Sequence, residues 1–154
     1  MPLGNGAPGI VQRTAVFAAV FRDEKLRQRN FDRFRDGLLQ EVIPAVESDY
    51  LVRSDRKSRA IAGISMDGAE TLMLGLNALT RFAWIGAFSA DGLTEDFEKQ
   101  FPGFDAKANT QLRLLWVSFG KDDPLLPINL KLRDWLDSRQ IHVKWVETAE
   151  GHSW

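Results

Sequence analysis

The segment RAIAGISMDG, residues 59–68, is the most informative part of this sequence about its fold. Its first part, Arg59 to Ile64, is a short apolar run that follows a charged turn, and this pattern predicts a buried strand. Met66 to Leu79 then predicts a helix, so Ser65 lies in a sharp turn between the strand and the helix. A serine in such a turn carries its hydroxyl above the end of a sheet, which makes Ser65 a candidate nucleophile.

Downstream of this turn, apolar runs and one amphipathic segment alternate along the chain. Ala83–Phe88, Leu112–Ser118 and Ile141–Glu147 predict three more strands, and Asn129–Ser138 predicts a helix. Strands that alternate with helices indicate an α/β fold with a mostly parallel sheet, flanking helices and right-handed crossovers. The length of 154 residues fits a single domain over 1–154.

Upstream of residue 59 the pattern is less regular. Residues 1–9 are rich in glycine and proline and predict a turn, while residues 10–29 leave helix and strand open. From Asn30, a plausible N-cap, apolar residues recur at helical spacing as far as Val46. Pro44 is expected to kink or shorten the last turn of this helix.

The composition excludes several classes of function. The formal net charge of −1 gives no reason to expect a nucleic-acid partner, and no apolar run is long enough to span a bilayer. The absence of cysteine excludes disulfides, thiolate metal sites and cysteine nucleophiles. With two histidines in the chain, His142 and His152, we expect no histidine-rich metal centre.

The turn around Ser65 supports two interpretations. As a nucleophile, Ser65 would act beside the Met66 N–H, which would donate a hydrogen bond to an oxyanion, while Gly63 would allow close backbone approach. As a helix N-cap, Ser65 would be structural. Asp67 departs from the G-x-S-x-G pattern, because its side chain crowds the turn and its charge lies near the developing oxyanion, although Gly68 could absorb some strain.

Two later loops favour the nucleophile. A serine nucleophile needs a base and an acid that orients this base, and in many hydrolases the chain order is Ser, Asp, His. Asp123 follows the third predicted strand and His152 follows the fourth, so both are expected at the same edge of the sheet as Ser65. Asp122 is the competing acid, and His142, inside the last predicted strand, is expected to be structural.

The chain resembles the putative-esterase branch of the α/β-hydrolases, which includes feruloyl esterases, enterochelin-esterase-like proteins and S-formylglutathione hydrolases. The segments that carry the resemblance are LLQEVIPAVESDY, RAIAGISMDGAETLMLGLN, FAWIGAFSA, LRLLWVSFGKDDPLLP and EGHSW. It implies hydrolysis of carboxylic esters through an acyl-enzyme on Ser65, without metal or organic cofactor. The G-x-x-D pattern of the family places the acid at Asp123, and its G-x-H pattern places the base at His152.

The same resemblance implies that this chain corresponds to the C-terminal portion of an α/β-hydrolase. Relatives have further strands upstream, and a loop there supplies the second oxyanion donor, so we expect a partial fold in which Arg59–Ile64 becomes a sheet edge and activity is weak. The expected substrates are aryl (feruloyl-type) or acetyl esters of plant cell-wall carbohydrate. Alternatives are a fragment that binds an ester or sugar without turnover, and an esterase for a siderophore or thioester. Oligomeric state and localisation stay open, and full-length relatives could be secreted or periplasmic.

Several other residues are weaker candidates. Ser89, Leu125 and Leu126 follow predicted strands on the same side and are expected to line the substrate pocket. The motif Gly4-Asn5-Gly6-Ala7-Pro8-Gly9 matches a dinucleotide fingerprint, but no strand precedes it, and a loop near the pocket rim is preferred. Trp84, Trp116 and Trp145 lie in predicted strands and are expected in the core, and Trp154 is expected to pack beside the loop of His152.

Overall fold

A computed structural model describes residues 23–152 of the chain. Its parallel sheet confirms the α/β class. The helices are α1 (Glu24–Gly37), α2 (Ile43–Asp49), α3 (Met66–Asn77), the short α4 (Phe97–Gln100) and α5 (Leu126–Ser138). The strands are β1 (Ala60–Ile64), β2 (Trp84–Phe88), β3 (Leu114–Gly120) and β4 (Lys144–Thr148), and 3₁₀ turns cover Arg56–Ser58 and Ala106–Thr110.

The four strands form one sheet in the order β1-β2-β3-β4, and every neighbouring pair is parallel. The register aligns Ile64 with Phe88, and Phe88 with Ser118, so the strands end close together. Because all four run in one direction, the loops that follow them meet at one edge of the sheet. We call this the carboxyl edge.

The hydrophobic core lies on one face of the sheet. Alternate strand residues point into it, with Ile85, Ala87, Leu115 and Val117 almost wholly buried. Helices α3 and α5 cover this face through buried leucines, and one side of the core is closed by an aromatic group in which Trp135 of α5 packs against three phenylalanines, Phe97, Phe101 and Phe104. Burial of such apolar surface is the main stabilising contribution to the fold.

The long helical segment before β1 starts earlier than its apolar pattern predicts. Asp23 caps α1 by accepting a hydrogen bond from the Leu26 N–H at 3.0 Å, so the prediction of Asn30 as N-cap was wrong. A carboxylate outside the first turn satisfies a free N–H group and interacts favourably with the helix dipole, and this favours Asp23 over Asn30. The first turns of α1 are charged and face solvent, so they lack the apolar spacing by which a helix is recognised in a sequence.

Pro44 does not shorten this helical segment, which continues to Asp49. A π-helical turn, Leu38–Val42, precedes the proline, and the Ile43 N–H donates to the Leu38 carbonyl five residues earlier. Proline has no N–H group to donate within a helix. The hydrogen bonds of the helix change to the wider π-helical spacing directly before Pro44, next to this missing donor. Pro44 therefore lies in the first turn of α2, where a missing N–H group is tolerated.

Within residues 23–152, β1 is an edge strand. An apolar groove of about 550 Å³ runs along its outer side, lined by the C-terminal half of the α1–α2 segment and by Ile61 and Ala62. Arg59 at the start of β1 pairs with Glu47 of α2 and thus fixes the far end of the groove. Among the described helices, none combines the length and apolarity that a membrane crossing requires.

Four smaller expectations change or remain untested. Strand β4 begins at Lys144, so His142 lies before the strand and is exposed. Trp84 is 37% exposed, and its indole N–H donates to the Lys57 carbonyl at 2.8 Å, so the core assignment was wrong for this side chain. The glycine motif at 4–9 and Trp154 lie outside the described residues.

Candidate active site

Each of the four strands delivers one polar side chain to the carboxyl edge. Ser65 follows β1 directly, Ser89 follows β2, Asp123 comes three residues after β3, and His152 comes four residues after β4. The structure thus brings the predicted nucleophile, acid and base to the same edge of one sheet. Their catalytic roles remain predictions.

Ser65 has a strained backbone and no capping role. Its φ of 59° and ψ of −123° lie in a region that a residue with a side chain rarely adopts, and its side chain makes no capping hydrogen bond to helix α3. The backbone is held from both sides, because its N–H donates to the Phe88 carbonyl at 2.9 Å and its carbonyl accepts from the Asp91 N–H at 2.9 Å. These contacts favour the nucleophile over the N-cap.

Two glycines allow the turn to be this tight. A Cβ atom at Gly63 would overlap the carbonyl oxygen of Asp67 and would lie 2.8 Å from its Cβ atom. A Cβ at Gly68 would lie 3.0 Å from the Phe88 carbonyl oxygen. The space left by Gly63 therefore accommodates Asp67, whose exposed side chain lines the groove on the outer side of β1. This explains how the turn tolerates a side chain two residues after Ser65.

Asp123 and His152 form a hydrogen-bonded pair. Nδ1 of His152 lies 3.0 Å from Oδ2 of Asp123, and the Leu125 N–H donates to Oδ1 of the same carboxylate at 2.8 Å. The Asp123 side chain is fully buried, whereas that of His152 is 34% exposed. This geometry leaves Nε2 of His152 as the ring nitrogen available to a second partner.

The Asp123 carboxyl has a pKa below its ordinary value despite its burial. Burial acts to raise this pKa, but hydrogen bonds from the Ser89 side chain, the Leu125 N–H and His152 together lower it further than burial raises it. The group is therefore a carboxylate at neutral pH. A buried carboxylate fixes the tautomer of a neighbouring imidazole and stabilises its cation.

The loop that carries His152 is folded back over the end of β3. The Lys121 N–H donates to the Thr148 carbonyl at 3.0 Å, and the Asp122 N–H approaches the Glu150 carbonyl at 3.5 Å. Gly120, the last residue of β3, makes this crossing possible, because a Cβ atom there would overlap the Glu150 carbonyl oxygen. The path of this loop brings His152 from the edge strand β4 to Asp123.

The competing candidates lie elsewhere. Asp122 is exposed, next to the buried Asp123, and contributes only its backbone to the loop contact. His142 precedes β4 and so lies at the opposite edge of the sheet, where its N–H donates to the Asn109 side chain at 2.8 Å. Among the described residues, neither the Asp122 nor the His142 side chain forms a hydrogen bond with Asp123 or His152.

The weaker candidates have varied positions. The Met66 N–H is the first of α3 and has no acceptor within the helix, as an oxyanion donor requires. Leu125 and Leu126 are half-buried at the start of α5, and Leu125 contacts Asp123 through its N–H. Ser89 is buried, and its N–H donates to the Ser118 carbonyl on β3 at 2.8 Å. Their roles in substrate binding remain predictions.

Sequence reasoning missed two buried polar residues near this edge. Asn129 of α5 is fully buried, and its amide donates to the carbonyls of Ala90 at 3.1 Å and Leu125 at 2.9 Å, which ties the loop after β2 to the loop after β3. Glu70 of α3 is 8% exposed. A polar residue inside an otherwise apolar helix face was the signal that could have identified both.

Burial, together with the nearby Asp67, raises the pKa of Glu70 to about 7 from an ordinary value of 4.5. The folded protein thus binds this proton more tightly than the unfolded chain, and the free energy of unfolding falls as the pH rises from about 4.5 to about 7. We expect Glu70→Gln to raise the free energy of unfolding by on the order of 2 kcal/mol at pH 8 and by little at pH 4.

Urea unfolding at both pH values measures this difference, and Glu41→Gln on the exposed side of the π-helical turn is the control. An equal gain at both pH values would show that the carboxyl of Glu70 is not the cause.

Two described clefts do not include the residues of this site. One, of about 910 Å³, lies between α1 and α3 and includes Glu70, and the other is the groove beside β1. Neither is lined by Ser65, Asp123 or His152. In the described part of the chain, no three histidine or carboxylate side chains are grouped so that they could hold a metal ion.

Known sequences resemble this chain both as a family and as individual proteins. The family model described as putative esterase matches residues 1–148. A protein of Xylanibacter ruminicola named endo-1,4-beta-xylanase/feruloyl esterase is 34% identical over 58 residues, which cover 38% of this chain and 8% of that protein.

Solved structures share the fold. A ferulic acid esterase matches with a TM-score of 0.66 and 25% identity, covering 79% of this chain and 54% of its own. An S-formylglutathione hydrolase of Staphylococcus aureus matches with a TM-score of 0.65 and 23% identity, covering 86% of this chain and 59% of its own. The chain thus spans little more than half the length of these structures and a small part of the curated relative.

Proposed function

Because the chain belongs to the putative esterase family, we propose that it is a serine hydrolase that cleaves carboxylic esters through an acyl-enzyme on Ser65. One observation carries the proposal: the hydrogen-bonded pair of Asp123 and His152 lies at the same edge of the sheet as a serine held at a φ of 59°. A turn of this kind holds a hydroxyl in a fixed direction above the sheet.

In the proposed reaction, His152 accepts the proton of the Ser65 hydroxyl at Nε2 while the serine oxygen attacks the ester carbonyl carbon. Asp123 holds the imidazole through Nδ1 and stabilises its positive charge. The imidazolium then gives its proton to the departing alcohol, and the acyl group stays on Ser65. Water, deprotonated by His152, then attacks the acyl carbon. The bond from this carbon to the Ser65 oxygen breaks, the acid leaves, and the imidazolium returns its proton to Ser65.

The Met66 N–H is the proposed oxyanion donor. It opens α3 beside Ser65, where the positive end of the helix dipole also favours negative charge. The Asp67 side chain, which lines the groove beside β1, introduces a negative charge one residue further along. Removal of one oxyanion donor typically costs about 10²- to 10³-fold in kcat, so the complement of donors sets the rate.

A fluorophosphonate probe tests the proposed function directly, because it reacts with a serine only when a base activates it. We expect stoichiometric labelling of the full chain at pH 8, with the added mass on the peptide that contains Ser65 and none on the Ser65→Ala variant. Ser118→Ala, a buried serine on β3, is the matched control and should label like the wild type. A wild-type chain that stays unlabelled, or a Ser65→Ala chain that labels, would contradict the proposal.

The proposed substrates are aryl esters of the feruloyl type or acetyl esters of plant cell-wall carbohydrate. Support comes from the similarity to a protein with feruloyl esterase in its name and to a ferulic acid esterase structure. Rates with methyl ferulate and p-nitrophenyl acetate separate the two types of acyl group. A preference for a thioester such as S-formylglutathione over both would leave the serine chemistry in place and contradict the substrate assignment.

A further inference from the structure

Asn129 lies in the first turn of α5, on the buried face of this helix. It shares the face with Leu132 and Leu136, and all three side chains are fully buried. An amide at such a position loses its contacts with water, which is unfavourable unless protein groups replace them. The hydrogen bonds of Asn129 therefore explain why this face contains an amide beside two leucines.

The amide of Asn129 joins the loops that follow β2 and β3. Its Nδ2 donates to the carbonyl of Ala90 at 3.1 Å and to the carbonyl of Leu125 at 2.9 Å. The backbone N–H of Asn129 also donates to the Leu125 carbonyl, at 3.2 Å. The reversed amide would place Oδ1 against two carbonyl oxygens, which cannot donate, so these contacts fix the orientation of the amide.

The contact with Ala90 holds the peptide group that supports Ser65. The Ala90 carbonyl and the Asp91 N–H belong to one peptide group, and this N–H donates to the Ser65 carbonyl at 2.9 Å. Because a peptide group is planar, a hydrogen bond that fixes its carbonyl also fixes the direction of its N–H. Asn129 thus supports the backbone of the proposed nucleophile from a position inside the core.

The contact with Leu125 supports the proposed acid. The Leu125 N–H donates to Oδ1 of Asp123 at 2.8 Å, and Oδ2 of the same carboxylate lies 3.0 Å from Nδ1 of His152. A displacement of Leu125 would therefore move a donor away from the carboxylate that orients the base. One amide thus links the backbone of Ser65 to the Asp123–His152 pair through a continuous series of hydrogen bonds.

We propose that Asn129 is a positioning residue, whose amide holds the loops after β2 and β3 in the relative position that proton transfer from Ser65 to His152 requires. The inference rests on the proposed function of the same site. Asn129 acts through Ala90 and Leu125 and does not contact the reacting atoms.

Two substitutions separate the contact between the loops from the contact at the start of α5. Asn129→Ala removes both side-chain hydrogen bonds. Asn129→Ser keeps a hydroxyl that can donate to the carbonyl four residues earlier, that of Leu125, but loses the reach to Ala90. We expect both variants to lower the rate constant of Ser65 labelling and kcat by about ten- to a hundredfold, with KM little changed, since a displacement of about 1 Å can have this effect.

Asn77→Ala is the matched control. The amide of Asn77 forms the same pair of contacts, with the carbonyl of Met73 four residues earlier at 2.8 Å and with that of Gln100 on α4 at 2.9 Å. It lies at the end of α3 opposite to Ser65. The control should label within about twofold of the wild type.

Proton NMR gives a readout that a merely structural role would not move. A loss of stability lowers the fraction of folded molecules but leaves the resonances of the folded molecules in place. The His152 Nδ1 proton reports on the contact with Asp123. We expect its resonance to shift in both Asn129 variants and to stay in place in Asn77→Ala.

If the wild type labels and both Asn129 variants match it in rate and in this resonance, the positioning role is overturned while the proposed function stands. Wild-type behaviour of Asn129→Ser beside a defective Asn129→Ala would confine the role to the Leu125 contact and overturn the link to Ser65. An equal loss of rate in Asn77→Ala would attribute the effect to stability and would also overturn the proposal. A wild type that does not label overturns the proposed function, and the His152 resonance alone then decides on Asn129.

Discussion

Replacement of Asp123 by asparagine is expected to lower kcat/KM by about 10³- to 10⁴-fold while the fold is retained. The Leu125 N–H donates to Oδ1, and it would retain the amide oxygen of an asparagine at that position. The amide NH₂ would then face Nδ1 of His152 and force this nitrogen to act as an acceptor. The proton would move to Nε2, where it prevents the imidazole from accepting the proton of Ser65.

The matched control is Asp122→Asn at the neighbouring exposed carboxylate, which should stay within about twofold of the wild type. Rates with p-nitrophenyl acetate measure both variants, and near-ultraviolet circular dichroism checks their fold. A larger loss in Asp122→Asn than in Asp123→Asn would reverse the assignment of the acid.

Replacement of Gly120 by alanine is expected to cost at least about a hundredfold in kcat/KM, since displacement of a catalytic group by about 1 Å can have this effect. The new Cβ would overlap the Glu150 carbonyl oxygen and would force the loop of His152 away from β3. Since the loop carries the base, the Asp123–His152 hydrogen bond would lengthen. We also expect a loss of about 1 to 3 kcal/mol in the free energy of unfolding, as for other overpacked sites.

Gly37→Ala is the control for this change. An added Cβ at Gly37 meets no atom within 4 Å, and alanine is favoured over glycine in a helix by up to about 1 kcal/mol. The control should therefore be as active as the wild type and slightly more stable. Wild-type rates in Gly120→Ala would show that the loop can move without displacing the base.

The strands and the site positions could be predicted from local patterns. The four apolar runs match β1 to β4 within about three residues at each end. They could be recognised because strands in a parallel sheet are buried and therefore consist largely of apolar residues. The same predicted strands placed Ser65, Asp123 and His152 at one edge of the sheet, since each of these residues comes after a strand. Gly63 was identified correctly as a position of close backbone approach.

Other features depend on tertiary contacts that no local pattern reports. The start of α1 at Glu24 was missed because charged residues cover its first turns, and the capping hydrogen bond of Asp23 decides the boundary. The prediction that Ser89 lines a pocket remains untested: a φ of 46° turns the chain at this residue, and the direction of a side chain after such a turn cannot be derived from strand alternation. The pKa of Glu70 depends on which helix covers α3.

The one-per-strand arrangement has a consequence for biosynthesis. The ribosome makes the chain from its N-terminus, so Ser65 emerges first, Ser89 and Asp123 follow, and His152 emerges last of the four. If these residues act as proposed, a growing chain holds an unactivated serine until β4 has joined β3. Reactivity of Ser65 in a translation mixture would then mark the moment at which β4 pairs with β3.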